Sequence, residues 1–331
     1  MLDDWHQKHE RVALNLQWNM KISRPRYGSL QFWPRKRAER FLPSVNWDVV
    51  HGNGLLGFIA YKVGMATAIV KDSTPKSMTP GKKLSVPVTI LEVPPMKIYS
   101  VRFYKNGRVM NETVVSNDRE LRRVVKVAKT PANAAAIDAI KEFDDIRVIV
   151  YSIVKETSVK KTPDIIEIGV GGKDKLSVVK SLIGKEMSLA DFFKGDLVDV
   201  RGLTKGKGLS GPVARFGISL RQHKSEKGRR GPGSLGPWHP ARVIFRVPIS
   251  GQLGMFTRVH YNLKVLGSGA VSSGKFGIAK PFKNYGLMHT NYLVLHGSVQ
   301  GPAKRQLLLT NPLRPTLKQT RKKFELLEVH R

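Results

Sequence analysis

The sequence predicts a mixed α/β protein, mainly β: a small β-barrel split by an α/β insertion, with an extended basic N-terminal arm and a long internal loop. Three observations carry this expectation. Short apolar runs broken by Gly, Pro or Asn-Gly turns fill residues 48–110 and resume near residue 196, a pattern that fits a small barrel or sandwich. Candidate capped helices alternate with strands between them. Charge is also unevenly placed. Residues 111–200 hold fifteen acids and fifteen Lys or Arg, so of 57 bases and 25 acids in all, the other 42 and 10 carry the whole formal charge of +32. One region reads as an ordinary soluble module, the rest as built for a field of phosphates.

At 331 residues the length suggests about two domains, and 41% hydrophobic residues with 25% charged place the chain among globular proteins. The absence of Cys excludes disulfides, zinc ribbons and thiol catalysis, and agrees with a reducing compartment. MLDDWHQKHERV has neither the apolar core of a signal peptide nor the acid-poor character of a transit peptide. The longest apolar run, LLGFIAYKVGMATAIV, is interrupted by Lys62 and too short to span a bilayer. The expectation is a soluble, intracellular protein that seeks polyanions, with no membrane partner.

Four segments follow: 1–44, N-terminal extension and basic arm; 45–110, first part of the barrel; 111–195, the α/β insertion; 196–331, second part of the barrel, with the long basic loop 205–260 and a tail. Residues 1–23 suit either an amphipathic helix or a tail that orders on a partner. From Arg24 to Arg40, Pro and Gly block helix and charge blocks collapse, so an extended arm is expected. Its Tyr27, Phe32 and Trp33 offer faces for base stacking. The strands VVHGNGLLGFIAYKVGM, ATAIVKDS, SVPVTILEV and MKIYSVRFYKNGRV follow, with residues 71–83 as a polar surface connection. In the insertion, Asn117 with Glu120 forms a capping-box pattern, Thr130-Pro131 opens a second helix, and Ser177 and Ser188 cap two more. RVIVYSIV and DIIEIGV read as strands there; LVDVRGLT, RVIFRVP, NYLVLHGSV and KRQLLLT read as strands after it. The tail LKQTRKKFELLEVHR receives no assignment.

The organising stretch is Arg201–Asn262, with twelve Lys or Arg, three His, eleven Gly and a single acid, Glu226. Few aliphatic residues lie between Phe216 and Trp238, so this loop cannot repay its ordering entropy from its own contacts. Cations interleaved with aromatics point to a polyanion with stackable bases. The candidate contacts in the arm are Arg24, Arg26, Arg35, Lys36 and Arg37. In the loop they are Lys205, Lys207, Arg215, Arg221, His223, Lys224, Lys227, Arg229, Arg230, Trp238, His239, Arg242, Arg258 and His260. Lys304 and Arg305 complete the set. Arg carries a fork that bridges phosphate oxygens, which favours the arginines for fixed contacts. Chemistry alone leaves Trp238 divided between a packed anchor and an exposed probe, with packing the commoner use of an indole.

No catalytic constellation emerges: H-E-x-x-H and G-x-S-x-G are both absent. His223, His239 and His260 lack ligand-like spacing, so neither a metal nor a cofactor is expected. Gly206, Gly208 and Gly211 match G-x-G-x-x-G, which keeps open an RNA-modifying enzyme with a nucleotide cofactor at that turn. The fingerprint needs a sustained helix after its third Gly, and Gly217 with KSEKGRRGPG argues against one. GAVSSGK at 269–275 fails as a P-loop because Phe276 stands where a hydroxyl must hold magnesium.

Several motifs together resemble one family. TKGKG (204–208), GPWHPA (236–241), GQLG (251–254) and YN (261–262) resemble the internal loop of the universal large-subunit ribosomal protein L-three. RPRYGSLQFWPRKRA, GFIAYKVGM, VPVTILEVPPM, NYLVLHGSVQGPAKR and NPLRP resemble it elsewhere in the same order, closest to the archaeal–eukaryotic branch. Ala66 after Gly-Met, Glu226 in the basic run and the first twenty residues depart from the pattern. The resemblance implies a translation-protein-like barrel and a cytoplasmic structural constituent of the large ribosomal subunit. Its partners would be 23S-type rRNA and neighbouring large-subunit proteins, with no small-molecule substrate. It further implies early binding in subunit assembly and a loop that reaches toward the peptidyl transferase centre, with Trp238 near its tip beside His239.

Overall fold

A computed structural model describes residues 32–127, 137, 140, 142–192, 195–273 and 280–330. The first twenty residues, Arg24, Arg26, Tyr27 and the helix expected from Thr130-Pro131 lie outside these. The fold is mixed α/β and mainly β. The chain divides into two compact units, one of residues 1–37 with 206–256, the other of residues 38–205 with 257–331.

In the larger unit, seven strands form one sheet: β2 (Gly57–Asp72), β3 (Lys83–Val93), β8 (Leu197–Leu203), β11 (Thr257–Ala270), β12 (Asn291–His296), β13 (Gln306–Thr310) and β14 (Phe324–His330). Their order is β13-β8-β11-β12-β3-β2-β14, and β13 also pairs with β2, from Gln306 opposite Tyr61 to Thr310 opposite Gly57. The consecutive apolar runs FIAY (58–61) and LLL (307–309) are fully buried because both faces of these strands are covered. GFIAYKVGM and ATAIVKD, expected as separate short strands, form the single 16-residue β2. A register shift between Lys62 and Gly64 bends the strand shortly before Met65, after which a break is expected. The unassigned tail supplies β14 and the short helix α4 (Leu317–Arg321) before it.

Pro94-Pro95 carry the chain from β3 into a second sheet, since proline has no N–H to extend the first ladder. That sheet runs β1-β7-β6-β4-β5, with β1 (Gly54–Leu55), β4 (Met96–Lys105), β5 (Arg108–Val114), β6 (Asp145–Ser152) and β7 (Ile165–Gly171). MKIYSVRFYKNGRV, expected as part of the barrel, therefore supplies β4 and β5 of the second sheet. Asn106 and Gly107, at φ 52° and 72°, make the expected Asn-Gly turn between β4 and β5. The helix α1 (Lys175–Leu182) takes Asp174 as its cap in place of Ser177, the carboxylate accepting from Ser177 N at 3.3 Å. α2 (Leu189–Phe192) follows Ser188, whose N and Oγ both donate to Asp191. The helix expected after Asn117 is only a 3-10 turn over Arg119–Arg123: Asp118 makes no cap bond, and its carboxylate accepts from the Tyr151 hydroxyl.

In the smaller unit, β9 (Leu209–Ser210) pairs with β10 (Gly251–Gln252), and α3 (Pro212–Phe216) follows β9. Between Gly217 and Ser250 there is no helix or strand. RVIFRVP, expected as a strand, is part of this irregular stretch; Val243, Ile244 and Phe245 are exposed with no partner strand beside them. Among the described residues no helix is long and apolar enough to cross a membrane.

Candidate nucleic-acid interface

The basic loop is closed at its root by its own backbone. Lys207 N donates to Leu253 O and Leu253 N to Gly208 O, both at 2.9 Å, so TKGKG and GQLG clasp one another. Gly208 sits at φ 61°, a left-handed conformation that suits glycine. At Gly251 a Cβ would lie 2.7 Å from Cζ of Arg215, so a larger residue there would push that guanidinium from its place. Arg215 is buried and donates to Gln252 O at 3.1 Å and Ile249 O at 3.0 Å. Burial lowers its pKa. Its guanidinium thus helps hold the loop root, a structural role beside the RNA contact expected of it.

The arm contributes to the same unit. Arg35 lies over the rings of Phe216 at 4.4 Å and Trp33 at 5.1 Å, and Trp33 meets Phe245 edge-on at 5.3 Å. These contacts give Trp33 an internal packing role, in place of the free stacking face expected of it; Phe32 is 54% exposed. Lys36 and Arg37 are exposed.

Farther along the loop, Arg221 and Arg229 hold one another, Arg221 N donating to Arg229 O at 3.1 Å and Arg229 Nε to Arg221 O at 3.2 Å. Nη2 of Arg221 also donates to Pro232 O. Lys207, His223, Lys224, Lys227, Arg230, His239 and Arg242 are exposed, and among the described residues none forms an ion pair. Trp238 is 85% exposed, so for the chain itself the packing alternative gives way. Gly211 and Pro212 do open a helix after the G-x-G-x-x-G match, yet α3 ends after five residues at Gly217, φ 64°. One turn is too short for the helix of a dinucleotide fold.

The remaining candidates belong to the larger unit. Lys205, His260 and Lys304 are exposed. Arg258 is half-buried and donates to Thr257 O at 2.8 Å. Arg305 lies over Phe41 at 5.0 Å, with its pKa lowered by burial.

The sequence reading missed three buried charges that tie separate segments of the chain together in space. Lys62 of GFIAYKVGM donates to Val299 O and, at 3.0 Å, to Gly301 O, gripping the SVQGPAKR loop. Burial, then the nearby Lys205, lowers its pKa. Asp199 of LVDVRGL accepts from Asn262 N at 2.7 Å and Leu313 N at 2.9 Å, tying YN to NPLRP. Glu92 of VTILEVPPM accepts from His289 N at 2.8 Å, from Thr290 N at 3.0 Å and from the Tyr285 hydroxyl. The available signal was a charged residue inside an otherwise apolar strand run, which needs a partner when buried. Of the departures that the structure describes, Ala66 packs against the β2–β3 side of the core and Glu226 is exposed.

Comparison with known proteins fits this architecture. A relative from Methanocaldococcus jannaschii named large ribosomal subunit protein uL3 is 40% identical over 316 residues, covering 89% of this chain and 93% of the relative. Proteins of the same name from Methanosphaera stadtmanae (39% over 316 residues, 89% and 93%) and Methanococcus maripaludis strain C7 (38% over 331 residues, 94% and 96%) are also similar. The family model described as ribosomal protein L3 matches residues 18–329. With that span matched, the chain belongs to the ribosomal protein L3 family, a family of structural and not catalytic proteins.

Proposed function

We propose that the chain is a structural constituent of the large ribosomal subunit that binds large-subunit rRNA. The observation that carries this is the stretch Gly217–Ser250: no regular structure, one acid, and exposed cations around an exposed Trp238. Such a segment gains its order from phosphates and bases that it neutralises and stacks upon. Family membership supports the same partner, together with neighbouring large-subunit proteins and a cytoplasmic location in the assembled subunit. The arm and the loop then thread rRNA, while the charge-balanced residues of the second sheet face away from it. We read the pairing of β13 with both β8 and β2 as the closure of the small barrel. Entry early in assembly and reach of the Trp238–His239 tip toward the peptidyl transferase centre are what the family resemblance adds. The mechanism is charge neutralisation and shape stabilisation.

Co-sedimentation tests this reading. The protein should remain stoichiometric with large subunits through washes of moderate salt. Substoichiometric recovery that varies between preparations would instead mark a transient factor.

A further inference from the structure

The connection between β2 and β3 is built far more firmly than a surface turn requires. Asp72 is buried, and its carboxylate accepts from Thr74 N at 2.9 Å, Ser77 Oγ at 2.6 Å and Thr79 Oγ1 at 2.8 Å. Its backbone O accepts from Gly81 N at 2.7 Å, and Ser73 N donates to Lys323 O at 2.9 Å. Lys323 N in turn donates to Thr74 Oγ1 at 3.0 Å, so the loop is fastened to the turn after α4. The inward hydroxyls of Ser77 and Thr79 flank Met78, which is 94% exposed.

A lone exposed apolar side chain needs no explanation. Here it sits on a pre-ordered loop among uncompensated cations. Lys76, Lys82 and Lys83 are exposed, as is Lys71 at the loop's start, and none forms an ion pair among the described residues. The loop's one acid, Asp72, is turned inward, and the nearest exposed carboxylate on the adjoining strand is Glu325, opposite Lys71. Lysine is depleted from the cores of protein–protein interfaces. A thioether amid ammonium groups suits nucleic acid, where phosphates take the charge and an apolar wedge packs on a base or sugar face. An ordered loop also avoids paying ordering entropy on binding.

We infer that the Asp72–Lys83 loop is a second, pre-ordered rRNA contact of this protein, with Met78 as an apolar wedge between lysines. It rests on the rRNA-binding reading but uses none of the residues that carry that reading.

The test places a photo-crosslinking methionine analogue at position 78 of the full-length chain in assembled large subunits, with a photo-crosslinker at position 238 as reference. Crosslinks from both positions to rRNA are expected. Crosslinks from 78 to a neighbouring protein, or none from 78 while 238 reaches rRNA, would overturn this inference alone. Silence at both positions would sink the rRNA-binding reading as well. In parallel, Lys76→Gln with Lys82→Gln and Lys83→Gln should lower the log–log salt slope for a large-subunit rRNA transcript. The expected drop is about two, at somewhat under one per lost phosphate contact. An unchanged slope from a variant that melts like the parent would also overturn it.

Discussion

Replacing Trp238 by alanine separates stability from function, with Trp47→Ala as its counterpart. Trp238 is 85% exposed, so roughly 40 Å² of an indole worth about 250 Å² is removed from water. At about 25 cal/mol per Å² its loss costs the free protein about 1 kcal/mol at most, a melting shift of a few degrees. Trp47 is 5% exposed and lies on two glycines, where a Cβ at Gly57 or Gly169 would come within 2.8 or 2.7 Å of its side chain. Emptying that site should cost about 3–5 kcal/mol. In the ribosome the order should reverse for Trp238, because a stacked base contributes about 1–3 kcal/mol. The assays are thermal melting of both purified variants, and subunit assembly and peptidyl transfer with Trp238→Ala ribosomes. Trp238→Phe should keep part of the ribosomal effect. A free-protein melting loss for Trp238→Ala comparable to that for Trp47→Ala would refute the placement of Trp238 as an exposed contact.

Three further perturbations follow from the geometry. Asp199→Ala orphans the N–H groups of Asn262 and Leu313, a loss of about 1–3 kcal/mol for each, read as a lower urea midpoint; an unmoved midpoint would remove Asp199 from the framework. Gly251→Ala forces Arg215 from its two carbonyls, so hydrogen exchange should quicken across 206–256 in the free protein, and unchanged protection there would contradict the clasp. His296 has its pKa lowered by burial and then by Lys322. Its unfolded form therefore binds the proton more readily, and stability present above about pH 6.5 is lost as pH falls through the lowered value. His296→Gln should flatten the fall in melting temperature below about pH 6.5; a parallel curve would show that other groups set the slope.

What the sequence disclosed and what it hid divide along physical lines. The apolar runs at 58–61 and 307–309 and the Asn106-Gly107 turn are local signals, and the structure uses them as strands and a turn. The one-turn α3 was also legible, since Pro212 opens it and Gly217 stops it. Choice of partner strand was not local. RVIFRVP has strand composition but finds no ladder, whereas β11, which the sequence reading does not single out, pairs with both β8 and β12. Sheet membership hid in Pro94-Pro95, which a linear reading takes as one turn among many. In the candidate interface, composition marked the basic stretch but not which charges face inward: Arg215 and Lys224 look alike until Gly251 supplies the space that buries one of them.

The proposed arrangement has the arm and the 205–260 loop holding rRNA while the charge-balanced stretch 111–200 does not. A zero-length crosslink map of the protein within large subunits, read by mass spectrometry, tests it most directly. Crosslinks to rRNA are expected at Lys207, Lys224, Arg230 and Trp238, and none on β6 or β7. Crosslinks concentrated on those two strands, with the loop silent, would contradict it.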